Sequence, residues 1–176
     1  MLDRSISQPA TTLTNAPPAA RFILRGADAV AAASAAFGVV LPTIPCGAAT
    51  NDARTAFWLG PDEWLLIAPE PETAALQQVL ETALAEVPHA LVNISNRQTA
   101  LLIEGPRAAT ALNAGTPLDL ALAAFPIGMV VRTIFEKAEI VLWRSGDDSF
   151  RIEVWRSFAP YVQALLEAAM SDDAAA

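Results

Sequence analysis

The chain has 176 residues, 53% of them hydrophobic and 17% charged, with 19 acidic against 11 basic side chains and a formal net charge of −8. This charge balance argues against nucleic acid as a partner, because neutralising phosphates requires clustered Lys and Arg. The most apolar stretch, residues 27–42, is mostly alanine and is broken by Gly38, which argues against a membrane span. A single cysteine and the lack of an apolar signal segment near the start predict a reducing, cytoplasmic setting.

Two flexible tails are predicted. Residues 1–20, rich in Pro, Thr and Ala, and residues 171–176 are expected to be flexible. The intervening residues 21–170 are expected to form one compact domain, since a chain of this size buries roughly 70% of its extended surface on folding.

The first part of this domain is predicted to run strand, helix, strand, strand, helix. An apolar strand ends at Gly26 and is followed by a helix of small residues. Residues 58–66, WLGPDEWLL, predict two antiparallel strands joined by a tight turn. Trp58 and Trp64 are expected to flank the turn as buried anchors, with stacking on a ligand as the alternative. A helix over residues 72–86 closes this part.

The second part repeats the pattern of the first. Its helix is bounded by Pro106 and Gly115, its apolar strand AEIVLWR should lie inside a sheet, and its last helix is predicted over residues 158–170. The strand SFRIEVW alternates, which predicts one core-facing side and one half-polar side. The core-facing side chains are Phe150, Ile152 and Val154, and those of the opposite side are Arg151, Glu153 and Trp155.

These matches predict an internal duplication. Corresponding positions lie at offsets that rise slowly and in one direction, as small loop insertions in a duplicated unit require. We therefore predict an α+β fold of two antiparallel halves, about residues 21–88 and 89–170. The pairs are Gly26 with Gly105, Gly47 with Gly128 and Trp58 with Trp143, at offsets of 79, 81 and 85 residues.

The sequence is poor in side chains for catalysis. His89 is the only histidine and lies in a loop without a cysteine nearby, so metal and triad sites have little support. Cys46 has no basic neighbour in sequence and is expected to be a buried, inert thiol. Asp62 and Glu63 occupy the tip of a tight turn, where acids are usually solvated. No catalytic residue and no metal site are predicted.

Three stretches carry a resemblance to a known family. WLGPDEWLL, AEIVLWR and FRIEVWRSFAPYV resemble the gamma subunit of heterotetrameric sarcosine oxidase, and residues 21–170 follow that family's order. The resemblance implies a non-catalytic subunit that stabilises a cytoplasmic complex with alpha, beta and delta subunits. That complex oxidises sarcosine to glycine, producing hydrogen peroxide and a one-carbon unit on tetrahydrofolate. Flavin, NAD and tetrahydrofolate are then expected on the larger subunits, with no cofactor in this chain.

The resemblance also implies a fold similar to the folate-binding part of the glycine-cleavage aminomethyltransferase. That family has an Asp-Val-Ser-His stretch where this chain has residues 93–96, Asn-Ile-Ser-Asn. Its reactive Asp-Asp pair is replaced by an alanine and Glu139, and its later asparagine by Trp155. Glu139 and Trp155 are therefore the candidates for a folate site.

Two hypotheses of different class remain open. One is the non-catalytic subunit, and the other is a stand-alone protein that binds folate or a folate adduct without transferase activity and self-associates. If the chain is a subunit, long polar and aromatic side chains of the second half should form the contact surface. The candidates are Arg132, Lys137, Arg144, Trp155 and Arg156.

Overall fold

The computed structural model describes residues 10–172. Two short 3-10 turns, Ala27–Ala29 and Glu70–Glu72, lead into the first two helices. The strands and helices of these residues, in chain order, are β1 (Thr12–Asn15), β2 (Ala19–Arg25), α1 (Val30–Phe37), β3 (Ala48–Asn51), β4 (Arg54–Gly60), β5 (Glu63–Pro69), α2 (Thr73–Leu84), β6 (Ala90–Asn93), β7 (Gln98–Glu104), α3 (Ala108–Asn113), β8 (Val130–Phe135), β9 (Ala138–Gly146), β10 (Ser149–Trp155) and α4 (Ala159–Asp172).

The strands form two antiparallel five-stranded sheets that have the same topology. The first sheet has the order β3-β4-β5-β2-β6 and the second the order β8-β9-β10-β7-β1. Adding five to each strand number of the first sheet gives the order of the second sheet, if β1 is counted as the strand after β10. The fold is therefore α+β with duplicated halves, as predicted, although each half has five strands rather than three.

The two halves exchange their first strands. β1 pairs with β7, and β6 pairs in the equivalent position with β2. The prediction that residues 1–20 are flexible is therefore wrong for Thr12–Asn15, whose backbone groups are paired in a sheet, and residues 1–9 lie outside the described residues. At the other end α4 continues through Ser171 and Asp172, and residues 173–176 lie outside the described residues.

Two glycines make the exchange possible. Gly26 has φ 127°, and a Cβ there would lie 2.8 Å from the Pro88 carbonyl oxygen, just before β6. Gly105 has φ 124°, and a Cβ there would lie 2.7 Å from Thr11 Cα, just before β1. Both positions need a backbone conformation that side chains disfavour and a close backbone approach, which only glycine permits.

The molecule has four layers, with a helical layer outside each sheet. α1 and α2 cover the outer face of the first sheet, and α3 and α4 cover the outer face of the second. The inner faces of the two sheets pack against each other through a third apolar cluster. Its buried members are Phe57, Leu65, Ile67, Ile94, Val130 and Val141.

One face of β10 is buried as predicted, but the environment of the opposite face differs from the prediction. Phe150, Ile152 and Val154 are buried beneath the helices. The opposite face is not a half-polar surface, because Glu153 on it is only 1% exposed and faces the other sheet. Trp155, at the end of the strand, is 40% exposed.

The register corrects two of the predicted repeat pairs by one residue. The β4–β5 and β9–β10 hairpins have the same irregularity, and their registers place Phe57 opposite Leu65 and Trp143 opposite Arg151. Trp143 is therefore the counterpart of Phe57, at an offset of 86 residues, and the two rings pack with their centroids 5.2 Å apart. The prediction that paired Trp58 with Trp143 was wrong because two adjacent aromatic residues, Phe57 and Trp58, precede the turn.

The second corrected pair lies before β3 and β8. Cys46 and Gly128 both have positive φ, 61° and 86°. Each precedes one residue of the bridge between Gly47 and Met129, which joins the two halves. Cys46 is therefore the counterpart of Gly128, and Gly47 that of Met129.

Candidate functional site

The space between the two sheets has two mouths, and the duplication relates them. One mouth is an open cavity of about 400 Å³, here called the proline cavity. Its walls are mostly apolar and include four prolines. They comprise Pro17, Pro18, Ala19, Ala53, Thr55, Phe57, Ile67, Ala68, Pro69, Glu70, Pro71, Trp143 and Arg151.

The other mouth, here called the polar cavity, is almost closed, with a volume of about 40 Å³. At three of six counterpart positions, a larger side chain (Arg97, Gln98 or Glu139) replaces a small residue or proline of the proline cavity. The counterpart pairs, with the proline cavity first, are Pro18 and Arg97, Ala19 and Gln98, Ala53 and Glu139, Thr55 and Val141, Ile67 and Glu153, and Arg151 and Leu65.

A buried ion cluster joins the sheets between these mouths. Glu153 of β10 is 1% exposed and Arg21 of β2 is 2% exposed. Arg21 Nε donates to Glu153 Oε2 at 2.6 Å, and Arg151 Nε donates to Glu153 Oε1 at 2.8 Å. Two guanidinium groups thus share one carboxylate. The cluster carries one excess positive charge, and Arg151 is its member in the wall of the proline cavity.

A second ion pair bridges the sheets at the polar cavity. Glu63 is 8% exposed and accepts from both terminal nitrogens of Arg132, while Arg25 Nη1 lies 3.5 Å from it. The pKa of Arg132 is raised, mainly because its guanidinium is hydrogen-bonded to Glu63. Burial lowers this pKa, but the negative charges of Glu63 and Glu139 raise it further. The expectation of solvated turn acids holds for Asp62 but is wrong for Glu63, because β8 of the other sheet lies beside it.

Glu139 lines the polar cavity, as does Gln98, whose Oε1 is buried without a partner among residues 10–172. A cavity of this size holds on the order of one to three water molecules. A pterin ring does not fit in it. The arrangement therefore disfavours Glu139 as part of a folate site.

Trp155 lies on the surface near this mouth. The Arg97 guanidinium stacks over its ring at 5.1 Å, and Arg156, also exposed, donates its backbone N–H to the Arg97 carbonyl oxygen. Two further aromatic residues, Phe158 and Tyr161, are 40% and 38% exposed. We call these five residues the aromatic patch.

Arg144 corrects the predicted contact surface. It is only 4% exposed, and its guanidinium donates to the carbonyl oxygens of Leu120, Phe125 and Asp147. It also lies over the Phe150 ring at 4.7 Å. Arg144 therefore fixes the loop before β8 from within, and the prediction that it meets a partner was wrong.

The other singled-out residues lie apart from one another. Lys137 is exposed in the β8–β9 turn, and Arg132 is 37% exposed in its side chain while bonded to Glu63. His89 is exposed, with Nδ1 2.8 Å from the Val87 carbonyl oxygen. Cys46 is half-buried rather than buried.

The described residues do not fit a metal or a dinucleotide. No group of three or more metal-ligating side chains within residues 10–172 is placed to hold an ion. The glycine turns after β2 and β7 cannot cradle a pyrophosphate, because backbone of the other half already lies against Gly26 and Gly105. Across the same residues, no helix has the length and apolar character needed to span a membrane.

The duplicated fold is similar to that of the aminomethyltransferases. Its similarity to glycine cleavage system aminomethyltransferase T from Bartonella henselae has a TM-score of 0.70 at 16% identity, covering 91% of this chain and 46% of that one. This comparison concerns the fold alone.

Closer relatives identify the family. The Sarcosine oxidase, gamma subunit family matches residues 25–172. The chain is 37% identical over 152 residues to sarcosine oxidase subunit gamma of Corynebacterium sp. (strain U-96), covering 86% of this chain and 73% of that protein. A chain in the structure of heterotetrameric sarcosine oxidase from Corynebacterium sp. U-96 in complex with pyrrole 2-carboxylate superposes with a TM-score of 0.85 at 34% identity, covering 92% and 84%. This chain belongs to the sarcosine oxidase gamma subunit family.

Proposed function

We propose that this chain is the non-catalytic gamma subunit of a cytoplasmic heterotetrameric sarcosine oxidase, assembled with alpha, beta and delta subunits. The complex converts sarcosine to glycine, with hydrogen peroxide and a one-carbon unit on tetrahydrofolate as products. The observation that carries the proposal is the similarity to a heterotetramer chain over 92% of this sequence. We infer that flavin, NAD and tetrahydrofolate bind to the larger subunits.

The inner carboxylates support a non-catalytic role. A general base needs a carboxylate that is free to take a proton from a substrate. Glu153 is held by two guanidinium groups and Glu63 by Arg132. Asn93 stands where the aminomethyltransferase has an acid. Its Oδ1 accepts hydrogen bonds from the backbone N–H and the hydroxyl of Ser95, so this side chain stabilises a turn.

The aromatic patch supports a role in assembly. Trp, Tyr and Arg dominate binding energy at protein interfaces because they combine large apolar area with directional hydrogen bonds. Three large aromatic side chains, each exposed by about two fifths, lie within seven residues of the chain at the end of β10 and the start of α4. We assign this surface, rather than Arg144, to contact with the larger subunits.

Activity of the separated chain tests the non-catalytic role. The purified chain, mixed with sarcosine, oxygen and tetrahydrofolate, is expected to produce no peroxide and no glycine, and to copurify without a yellow flavin. The matched control is the assembled complex under the same conditions. Turnover by the separated chain, or a flavin absorbance spectrum, would refute the proposal.

Substitutions in the aromatic patch test the contact surface. Trp155→Ala with Arg156→Ala is expected to weaken assembly with the larger subunits by at least about tenfold, since a hot spot contributes about 2 kcal/mol or more. The melting temperature of the separated chain should stay within a few degrees. Val79→Ala, an exposed residue of α2 in the opposite layer, is the control and should assemble normally. Normal assembly of the double variant would place the interface elsewhere.

A further inference from the structure

The proline cavity has no part in the proposed function. Its volume of about 400 Å³ lies within the range of roughly 300–1,000 Å³ that small-molecule sites occupy. Its counterpart, the polar cavity, is filled by its own side chains. The two halves have therefore diverged so that one of two equivalent mouths stays open.

The wall of this cavity contains a cation whose charge is not balanced. Arg151 shares Glu153 with Arg21, so the cluster has two guanidinium groups for one carboxylate. The Nε and Nη2 atoms of Arg151 are bonded to Glu153, while Nη1 has no acceptor among residues 10–172. Its side chain is 16% exposed. A partly desolvated guanidinium with unused donors favours an anion, and carboxylates match its planar geometry.

The remaining walls favour an apolar body on that anion. The ring of Trp143 and the side chain of Ile67 line the cavity together with its four prolines, and the fully buried ring of Phe57 supports Trp143 from behind. Prolines have little conformational freedom to lose, so the cavity is formed before a ligand enters. An exposed acid, Glu70, lies at the rim and disfavours a second negative charge on the ligand.

We propose that the proline cavity binds an organic monocarboxylate with an apolar body, whose carboxylate pairs with Arg151. The body lies against Trp143 and the exposed rings of Pro17 and Pro18. The polar cavity does not bind such a ligand, because Leu65 stands there in place of Arg151 and the space is filled.

Calorimetric titration of the full-length chain with 3-phenylpropionate tests the proposal. Binding is expected in the millimolar range or tighter. The matched ligand 3-phenylpropionamide, which keeps the apolar body but has no charge, should bind at least about tenfold more weakly, since a hydrogen bond to a charged group is worth about 1.5–3 kcal/mol. The indole N–H resonance of Trp143 should shift with the acid.

Two variants distinguish the contribution of the Arg151 charge to binding from that of the open cavity. Arg151→Leu, which installs the counterpart residue Leu65, should remove the preference for the acid over the amide. Ala19→Gln, which installs the counterpart residue Gln98, should fill the cavity and weaken both ligands. Thermal melting of each variant checks that it is folded.

Three results would overturn the proposal. They are equal affinity of the acid and the amide for the unaltered chain, an unchanged preference in Arg151→Leu, and no binding of the acid at millimolar concentration. If Arg151→Leu does not fold, the comparison of the two ligands on the unaltered chain and the response of Ala19→Gln decide the question.

Discussion

Removing the Glu153 carboxylate should destabilise the fold far more than an ordinary surface change. Glu153 is 1% exposed and is the anion for both Arg21 and Arg151. Glu153→Gln keeps the shape but leaves two guanidinium groups between the sheets with no negative charge. Loss of one partner of a buried ion pair costs about 3–5 kcal/mol, because the remaining charge stays desolvated.

The duplication supplies a control for this prediction. The strand registers give each member of the cluster a counterpart in the opposite half: Ile67 for Glu153, Ala100 for Arg21 and Leu65 for Arg151. The triple variant Glu153→Ile, Arg21→Ala and Arg151→Leu installs these residues. It should be more stable than Glu153→Gln, because it leaves no unpaired charge between the sheets, although Arg21→Ala also opens a cavity.

Urea unfolding and thermal melting measure both effects. For a chain of this length about 1 kcal/mol corresponds to roughly 2–4 °C, so Glu153→Gln should lower the melting temperature by roughly 6–20 °C. The triple variant should recover part of this loss. A fall of less than about 1 kcal/mol in Glu153→Gln, or a triple variant less stable than the single one, would refute the reasoning, since either result means that the cluster is hydrated or not formed.

Two further substitutions test the packing. Gly105→Ala should cost several kcal/mol in urea unfolding, because the new Cβ would lie 2.7 Å from Thr11 Cα, whereas Gly128→Ala, with nothing within 4 Å, should cost about 1–2 kcal/mol from its positive φ alone. Equal losses would mean that the exchanged strand does not pack tightly. Arg144→Met should cost about 3 kcal/mol and speed proteolysis before β8, because it leaves buried carbonyl oxygens without donors. Unchanged cleavage there would contradict the role given to Arg144.

The duplication and the long elements could be predicted from sequence because they carry periodic apolar signals. The helices expected over residues 72–86 and 158–170 are α2 and α4, with ends that differ by one or two residues. Three of the four missed strands, β1, β3 and β6, have only four residues each, and none of these residues is buried. Their pairing is set by the partner strand rather than by their own pattern. β8, with the sequence VVRTIF, is rich in β-branched residues and ends on an aromatic residue, so it could have been found.

The inner site could not be predicted because its partners are remote in sequence. Arg21 and Glu153 are 132 residues apart, and their contact depends on how the sheets face each other. Alternation in β10 indicated correctly which residues share a face, but not that the second face is buried by another sheet. Arg144 was misassigned for the same reason, since an arginine in an apolar strand can be held by backbone carbonyls that the sequence does not reveal.

Copurification tests the central claim most directly. The chain, carrying an affinity tag, is expressed with the larger sarcosine oxidase subunits of the same organism, and the mass of the purified species is measured. We expect one heterotetramer that contains this chain once, contains flavin, and produces peroxide from sarcosine. A tagged chain that purifies alone while the larger subunits form an active enzyme without it would contradict the claim.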